Sequence, residues 1–388
     1  MAARKRKVKI PVLILASLAI LGFAVIIYKM MTVETTLSFT LEYTLPEFPA
    51  IALPSFPTVE TAAAVNGKVI GSTSSAKKSI ASTAKIITAL VVMEEKPFNL
   101  GEQGENITIS QADYDRYTWY ISHNGSTTKV EVQEVISEYD ALVAMLIASS
   151  NNMADTLATW AFSSLDQYRE AANSKLVEWG ITNTEVGSDA SGYSEDTIST
   201  ASDMAILSEK VLENPVLAQI VSLKSYTIPV AGEIENTNKI LGEKGIAGIK
   251  TGYNGKNSGY CLMSGYTQDR NLISTALLGA STRQASFDDT LALTDYLQSH
   301  LQDTTLVNEG KILGKYEAWW ISPQNVLAKE DVKVLGWQED TNNYNLSPDQ
   351  FQVTINGKTY DIETVVPDFP KQPNLWQRLL HVFGWSAS

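Results

Sequence analysis

Ala81-Ser82-Thr83-Ala84-Lys85-Ile86-Ile87-Thr88-Ala89-Leu90-Val91-Val92-Met93 is the stretch on which the fold turns. From Ile86 the run is apolar on nearly every side until Pro97 ends it, which predicts a helix buried in the middle of a domain. Upstream, residues 61–65 and 68–71 flank Asn66-Gly67 and read as a β-hairpin, because Asn-Gly readily takes the positive φ angles of a tight turn. Downstream, 139–148 and 153–162 read as two helices around Ser149-Ser150-Asn151-Asn152, and 200–212 as another. The period then changes. Residues 246–251, 259–266 and 272–279 read as strands, and 286–301 closes the domain as a helix with Leu293, Leu297 and Leu301 at four-residue spacing. Strands and helices segregate, so the predicted class is α+β: an antiparallel sheet flanked by helices, with a helical insertion, followed by a small β domain.

The flanks complete the expected organisation. Residues 1–9 are a basic cytoplasmic flank, and 10–28 carry no charge before Lys29. A hydrocarbon core needs roughly 20 apolar helical residues, so 10–29 is long enough to span it, with the rest of the chain extracytoplasmic. A cleaved signal peptide is the competing view, but Lys-Met-Met-Thr-Val-Glu after Tyr28 is a poor cleavage site. Residues 30–57, with four prolines, read as an extended spacer, or as one that packs partly on the domain, since Phe39, Tyr43, Phe48 and Phe56 are not typical of a flexible linker. The main domain is expected over 58–301. A small β domain follows over 302–370, built from runs at 311–321, 332–337, 351–355 and 358–365. Residues 371–388 read as an amphipathic helix that either lies in the headgroup region or packs on protein.

Composition narrows the function. Thirty Lys and Arg stand against 43 Asp and Glu in 388 residues, for a net charge of −13, and six of those cations precede residue 30. The remainder is a poor polyanion binder, so no nucleic-acid partner is expected. One cysteine, Cys261, excludes an internal disulfide framework, and it reads as a buried strand residue. With three scattered histidines, no metal centre is expected.

Three short motifs carry the chemistry. Ser-x-x-Lys occurs four times, starting at Ser74, Ser75, Ser82 and Ser126, but only Ser82 opens a strongly apolar helix. There Lys85 lies one turn on, on the same face, and can take the serine proton if burial beside other cations keeps its amine neutral. Ser149-x-Asn151 places a hydroxyl and an amide in a turn between apolar helices, where a helix cap would also favour them. Lys250-Thr251-Gly252 sits on a predicted strand, where a lysine and a hydroxyl can bind a carboxylate and the glycine lets substrate approach the edge.

Ser-x-x-Lys, then Ser-x-Asn 67 residues on, then Lys-Thr-Gly 101 residues beyond, resembles the active-site serine penicillin-recognising enzymes. Ala81–Ile86 and 149–152, together with Gly248-Ile249-Lys250-Thr251-Gly252-Tyr253, Asn236-Thr237-Asn238 and Ser258-Gly259-Tyr260-Cys261, look like low-molecular-mass D-alanyl-D-alanine carboxypeptidases. The resemblance covers about residues 58–301 and implies the serine β-lactamase/DD-peptidase fold. It implies acyl transfer on peptidoglycan stem peptides ending in D-Ala-D-Ala, with penicillins and other β-lactams as covalent inhibitors and no cofactor. Ser82 is then the nucleophile and Lys85 its base. Ser149 relays the proton, Asn151 holds the substrate amide, Lys250 supplies positive potential and Thr251 binds the terminal carboxylate. Gly252 lies against the substrate, and the N–H groups of Ser82 and Tyr253 hold the oxyanion. Asn152 stands where the family commonly carries Asp, which puts peptide preference in question. A DD-endopeptidase, a β-lactamase of the same fold, and a silent cell-wall-binding relative are the alternatives. No Glu-x-x-x-Asn loop is evident for the second.

Overall fold

The computed structural model describes residues 10–57, 59–338, 342–347, 350–367 and 371–385. The expected basic flank, residues 1–9, lies outside the described residues. The chain divides into two compact units, Pro49–Gln302 and a second that joins the chain up to Phe48 with that from Asp303 onward.

In the first unit, β1 (Glu60–Val65) and β2 (Lys68–Ser72) form the expected hairpin, with Asn66 and Gly67 at φ 49° and 84°. They join β3 (Ile249–Tyr253), β4 (Tyr260–Gln268) and β5 (Asn271–Ala280) in an antiparallel sheet of order β3-β4-β5-β1-β2. Side-chain alternation gives the sheet two apolar faces. Leu262 packs with Phe287 of α7 (Arg283–His300), whereas Met263, Ala276 and Leu278 join the large helical core.

That core centres on α1 (Lys85–Glu95), buried continuously from Lys85 to Met93, as its apolar circumference predicts. Around it lie α2 (Gln111–Ser122), α3 (Glu138–Leu146), α4 (Asn151–Phe162), α5 (Leu165–Glu178) and α6 (Ala201–Glu213). Helices α2 and α5 have no counterpart among the elements expected from sequence. Each presents mainly polar residues, and only Asp113 and Tyr120 of α2, and Tyr168, Ala172 and Leu176 of α5, are buried. Helix α4 starts earlier than expected, because Ser150 caps it by accepting from the N–H of Met153; Asn151 and Asn152 therefore occupy its first turn.

Much of the expected spacer belongs to the second unit, as its aromatic residues allow. Strand Ser38–Leu41 pairs with Ile312–Ala318 along one edge of a four-stranded sheet, and Tyr43 is buried in that unit's core with Phe39 and Phe48 packed against it. Burial of these aromatic side chains holds the segment on the sheet. The expected run 311–321 is broken at Trp319-Trp320, which turn between strands Ile312–Ala318 and Ile321–Ala328. The N-terminal helix runs Ile10–Thr32, three residues beyond the expected span, and contains one stretch long and apolar enough to cross a membrane. Helix Leu375–Val382 exposes Leu375 and Trp376, with Phe383 and Trp385 exposed beyond its end.

Candidate active site

Ser82 does not cap a helix. It sits inside a single 3-10 turn, Ala81–Ala84, that runs directly into α1 and has no side-chain cap. Ala81 is held at φ 49°, a conformation that favours glycine, and three neighbours brace it. Gly192, itself at φ 68°, packs so tightly that an added Cβ would overlap the Ala81 carbonyl and lie 2.9 Å from Ala84 Cβ. Gly252 of β3 approaches closely too; a Cβ there would stand 3.1 Å from both Ile80 O and Thr83 N. Thr83 Oγ1 donates to Ile80 O at 2.5 Å. The turn is therefore clamped between the sheet edge and a loop, and Ser82 opens into the cleft.

Lys85 is fully buried and donates to Ser82 Oγ at 2.9 Å, Asn151 Oδ1 at 2.7 Å and Ser191 O at 2.8 Å. All three protons of an ammonium are thereby used. Burial pushes its pKa down to about 7, against the opposing pull of Asp189 and Asp155. Lys250, also buried, donates to Thr251 O at 3.0 Å, and burial together with the charge of Lys85 holds it well below the usual lysine range.

The remaining expected residues converge on one cleft of about 430 Å³, lined among others by Ser82, Ser149, Asn151, Thr251, Gly252 and Tyr253. Lys85 and Lys250 are buried at the site, their amines bonded as above. Ser149 follows α3 at φ 62° and makes no side-chain hydrogen bond among the described residues. The cap and the site element thus coexist, since Ser150 does the capping while Ser149 faces the cleft. Thr251 Oγ1 lies 2.7 Å from Thr237 Oγ1, and Tyr253 stacks on Tyr260 with ring centroids 4.3 Å apart. Strand β3 is the outer strand of its sheet, so its free side can accept an extended peptide as a further strand. Of the other Ser-x-x-Lys matches, Ser126 reaches the rim, but Lys129 pairs outward with Glu131 at 3.2 Å.

Two expectations change. Asn152 is buried away from the cleft: its amide accepts from Thr128 N and donates to Thr128 O, both at 3.0 Å, and it accepts from Ser150 Oγ at 2.8 Å. An aspartate lacks the donor for that reciprocal pair, so this departure from the family pattern belongs to local architecture. Thr237, Asp155, Asp189, Ser191 and Arg283 are not singled out by sequence as site residues, although all five lie at or behind the cleft. Thr237 is visible within Asn236-Thr237-Asn238, whose first asparagine anchors the segment by donating to Leu223 O at 2.8 Å and accepting from Asn238 N at 2.9 Å. Cys261 is buried as expected, and burial pushes its thiol up to about 12.

A serine and a buried lysine under the open edge of an antiparallel sheet, with a helical insertion closing the other side, are the arrangement of the DD-peptidase and serine β-lactamase fold. A family model described as D-alanyl-D-alanine carboxypeptidase, peptidase S11, matches residues 57–282, more than half the chain, and the chain belongs to that family. It is 24% identical over 255 residues to the D-alanyl-D-alanine carboxypeptidase DacF of Bacillus subtilis, covering 64% of each chain. It is 28% identical over 228 residues to a D-alanyl-D-alanine endopeptidase of Pseudomonas aeruginosa, covering 57% of this chain and 69% of that one. The crystal structure of the D-alanyl-D-alanine carboxypeptidase DacD from Francisella tularensis superposes with a TM-score of 0.60 at 16% identity, over 83% of this chain and 95% of that one, and shares the fold.

Proposed function

We propose that this protein is a serine D-alanyl-D-alanine carboxypeptidase that removes the terminal D-Ala from peptidoglycan stem peptides. The observation that carries the reading is the buried Lys85 amine 2.9 Å from Ser82 Oγ, with a pKa brought down to about 7. Ser82 Oγ attacks the carbonyl carbon of the penultimate D-alanine while Lys85 takes its proton. The N–H groups of Ser82 and Tyr253 receive the oxyanion; losing one such donor typically costs about 3 kcal/mol of barrier. The C–N bond then breaks, and Ser149 passes a proton to the departing D-alanine nitrogen. Asn151 orients the substrate amide, Gly252 gives it room at the strand edge, and Lys250 adds positive potential. Thr251 binds the terminal carboxylate, assisted by Arg283, which lines the same cleft and has no carboxylate partner among the described residues. Water releases the acyl-enzyme by the reverse proton path. A β-lactam carbonyl enters the same attack and stays attached.

The apolar helix Ile10–Thr32 is read as an uncleaved single-pass anchor with the catalytic unit outside the cell. Arg378 Nη1 donates to Met30 O at 3.4 Å, and His381 stacks on Trp319 with centroids 4.0 Å apart; both support a C-terminal helix that packs on protein beside the anchor. Cross-link cleavage is the second reading, favoured by the endopeptidase among the relatives.

The test is D-alanine release from a synthetic peptide ending in D-Ala-D-Ala by the detergent-solubilised chain. Release by the wild type and none by Ser82→Ala is expected. Cleavage only of a D-Ala cross-linked dimer selects the endopeptidase, and rapid hydrolysis of penicillin selects a β-lactamase. No turnover of any of these leaves only a binding protein.

A further inference from the structure

Behind Lys85 lies the turn 189–194, whose Ser191 carbonyl accepts from the Lys85 amine. Two buried carboxylates hold that turn. Asp189 Oδ1 accepts from the N–H and the hydroxyl of Ser191, both at 2.7 Å, and its Oδ2 accepts from Ser194 N at 2.6 Å. Asp155 of α4 accepts from Ala190 N at 3.1 Å and from the Tyr120 hydroxyl at 2.7 Å, which itself lies 3.4 Å from Ser191 Oγ. Thr88 of α1 completes the grip by donating to Ala190 O at 2.6 Å.

The charges are as ordered as the contacts. Neither Asp155 nor Asp189 forms an ion pair among the described residues; Arg116, the cation nearest Asp155 in effect, is bonded to Asp113 at 2.7 Å. Charged groups at Lys85 come from Lys250 of β3, Asp155 of α4 and Asp189 of the turn, while the neutral phenols Tyr120 of α2 and Tyr168 of α5 lie toward the two carboxylates. Two buried lysines therefore oppose two buried carboxylates in one site. Removing water strengthens each of these interactions relative to the surface.

We propose that Asp189 and Asp155 are positioning residues for Lys85: they seat the Ser191 carbonyl on its amine and set their negative charge against its burial, fixing the pH at which Lys85 can accept the Ser82 proton. This rests on Lys85 as the base. The acidic pair favours the ammonium, and burial favours the free amine. Burial pushes Asp155 up to about 6, with Asp189 adding to the effect, so its own protonation falls within the same acid limb. Asp189 differs: burial raises it, yet the hydrogen bonds from Ser191 and Ser194 outweigh this and hold it below the usual carboxylate range.

The test is the rate of covalent labelling of the full-length chain in detergent by a fluorescent penicillin, measured from pH 5 to pH 9. Asp189→Asn keeps a carbonyl acceptor for Ser191 but removes the charge, so the acid limb moves down by about one pH unit whatever happens to the plateau. Asp155→Asn moves it the same way, whereas Thr88→Val, which removes the bond to Ala190 O but no charge and touches neither carboxylate, leaves it in place. A limb unmoved in both Asn variants, with the rate lowered at every pH, marks a purely structural turn and overturns the proposal. If Asp189→Asn fails to melt cooperatively, the limb of Asp155→Asn decides between the two outcomes. A wild type that does not label at all removes Lys85 as base, and the proposal with it; a labelled wild type with an unmoved limb in the variants removes the proposal alone.

Discussion

Two turns in this molecule use one backbone device to different ends. Ala81 and Ser149 are non-glycine residues at φ 49° and 62°, each close to the start of a helix, and each helps open a serine hydroxyl into the same cleft. The Ser82 turn is clamped by Gly192, Gly252 and Thr83, and its hydroxyl already receives the Lys85 amine. The Ser149 turn is held from behind, through Ser150 and Asn152, and its hydroxyl has no partner among the described residues. A serine already bonded to a buried amine fits the proposed nucleophile, and a serine held free fits the proposed relay, whose partners arrive with substrate.

Removing each turn's chemistry separates them most sharply. Lys85→Ala is expected to lower penicillin acylation by about 10³-fold or more, and Ser149→Ala by about 10²-fold, in stopped-flow labelling. Equal losses collapse the distinction between base and relay. Gly192→Ala comes next. A positive φ and a Cβ against the Ala81 carbonyl are expected to cost about 3 kcal/mol in urea unfolding, with acylation falling as the Ser82 turn shifts. A Gly192→Ala protein of wild-type stability means that the clamp is slack. The smallest effect is Asn152→Asp, which loses the bond donated to Thr128 O and buries an acid, for about 2 kcal/mol of stability, with the substrate preference unchanged. A changed peptide preference returns Asn152 to the cleft.

The two turns also mark what a linear sequence can disclose. Ser82 and Lys85 are separated by one helical turn before an apolar run, so local pattern distinguishes them from the other three Ser-x-x-Lys matches. The buried α1 and the Asn66-Gly67 hairpin are legible for the same reason. The third acceptor of Lys85 is a backbone carbonyl, which carries no residue-type signature, and Asp155 looks like an ordinary polar position within an apolar helix. Strand Ser38–Leu41 hides in a proline-rich segment because its partner, Ile312–Ala318, lies at the far end of the chain. Local composition encodes neither pairing nor clamp.

Everything turns on one hydroxyl being the nucleophile of one shared cleft. Peptide mass mapping of the full-length chain after brief exposure to penicillin measures this directly. A single penicilloyl adduct on the peptide carrying Ser82, absent from Lys85→Ala at neutral pH, is the predicted result. An adduct on Ser149, or labelling of Ser82 that survives the loss of the Lys85 amine, contradicts it.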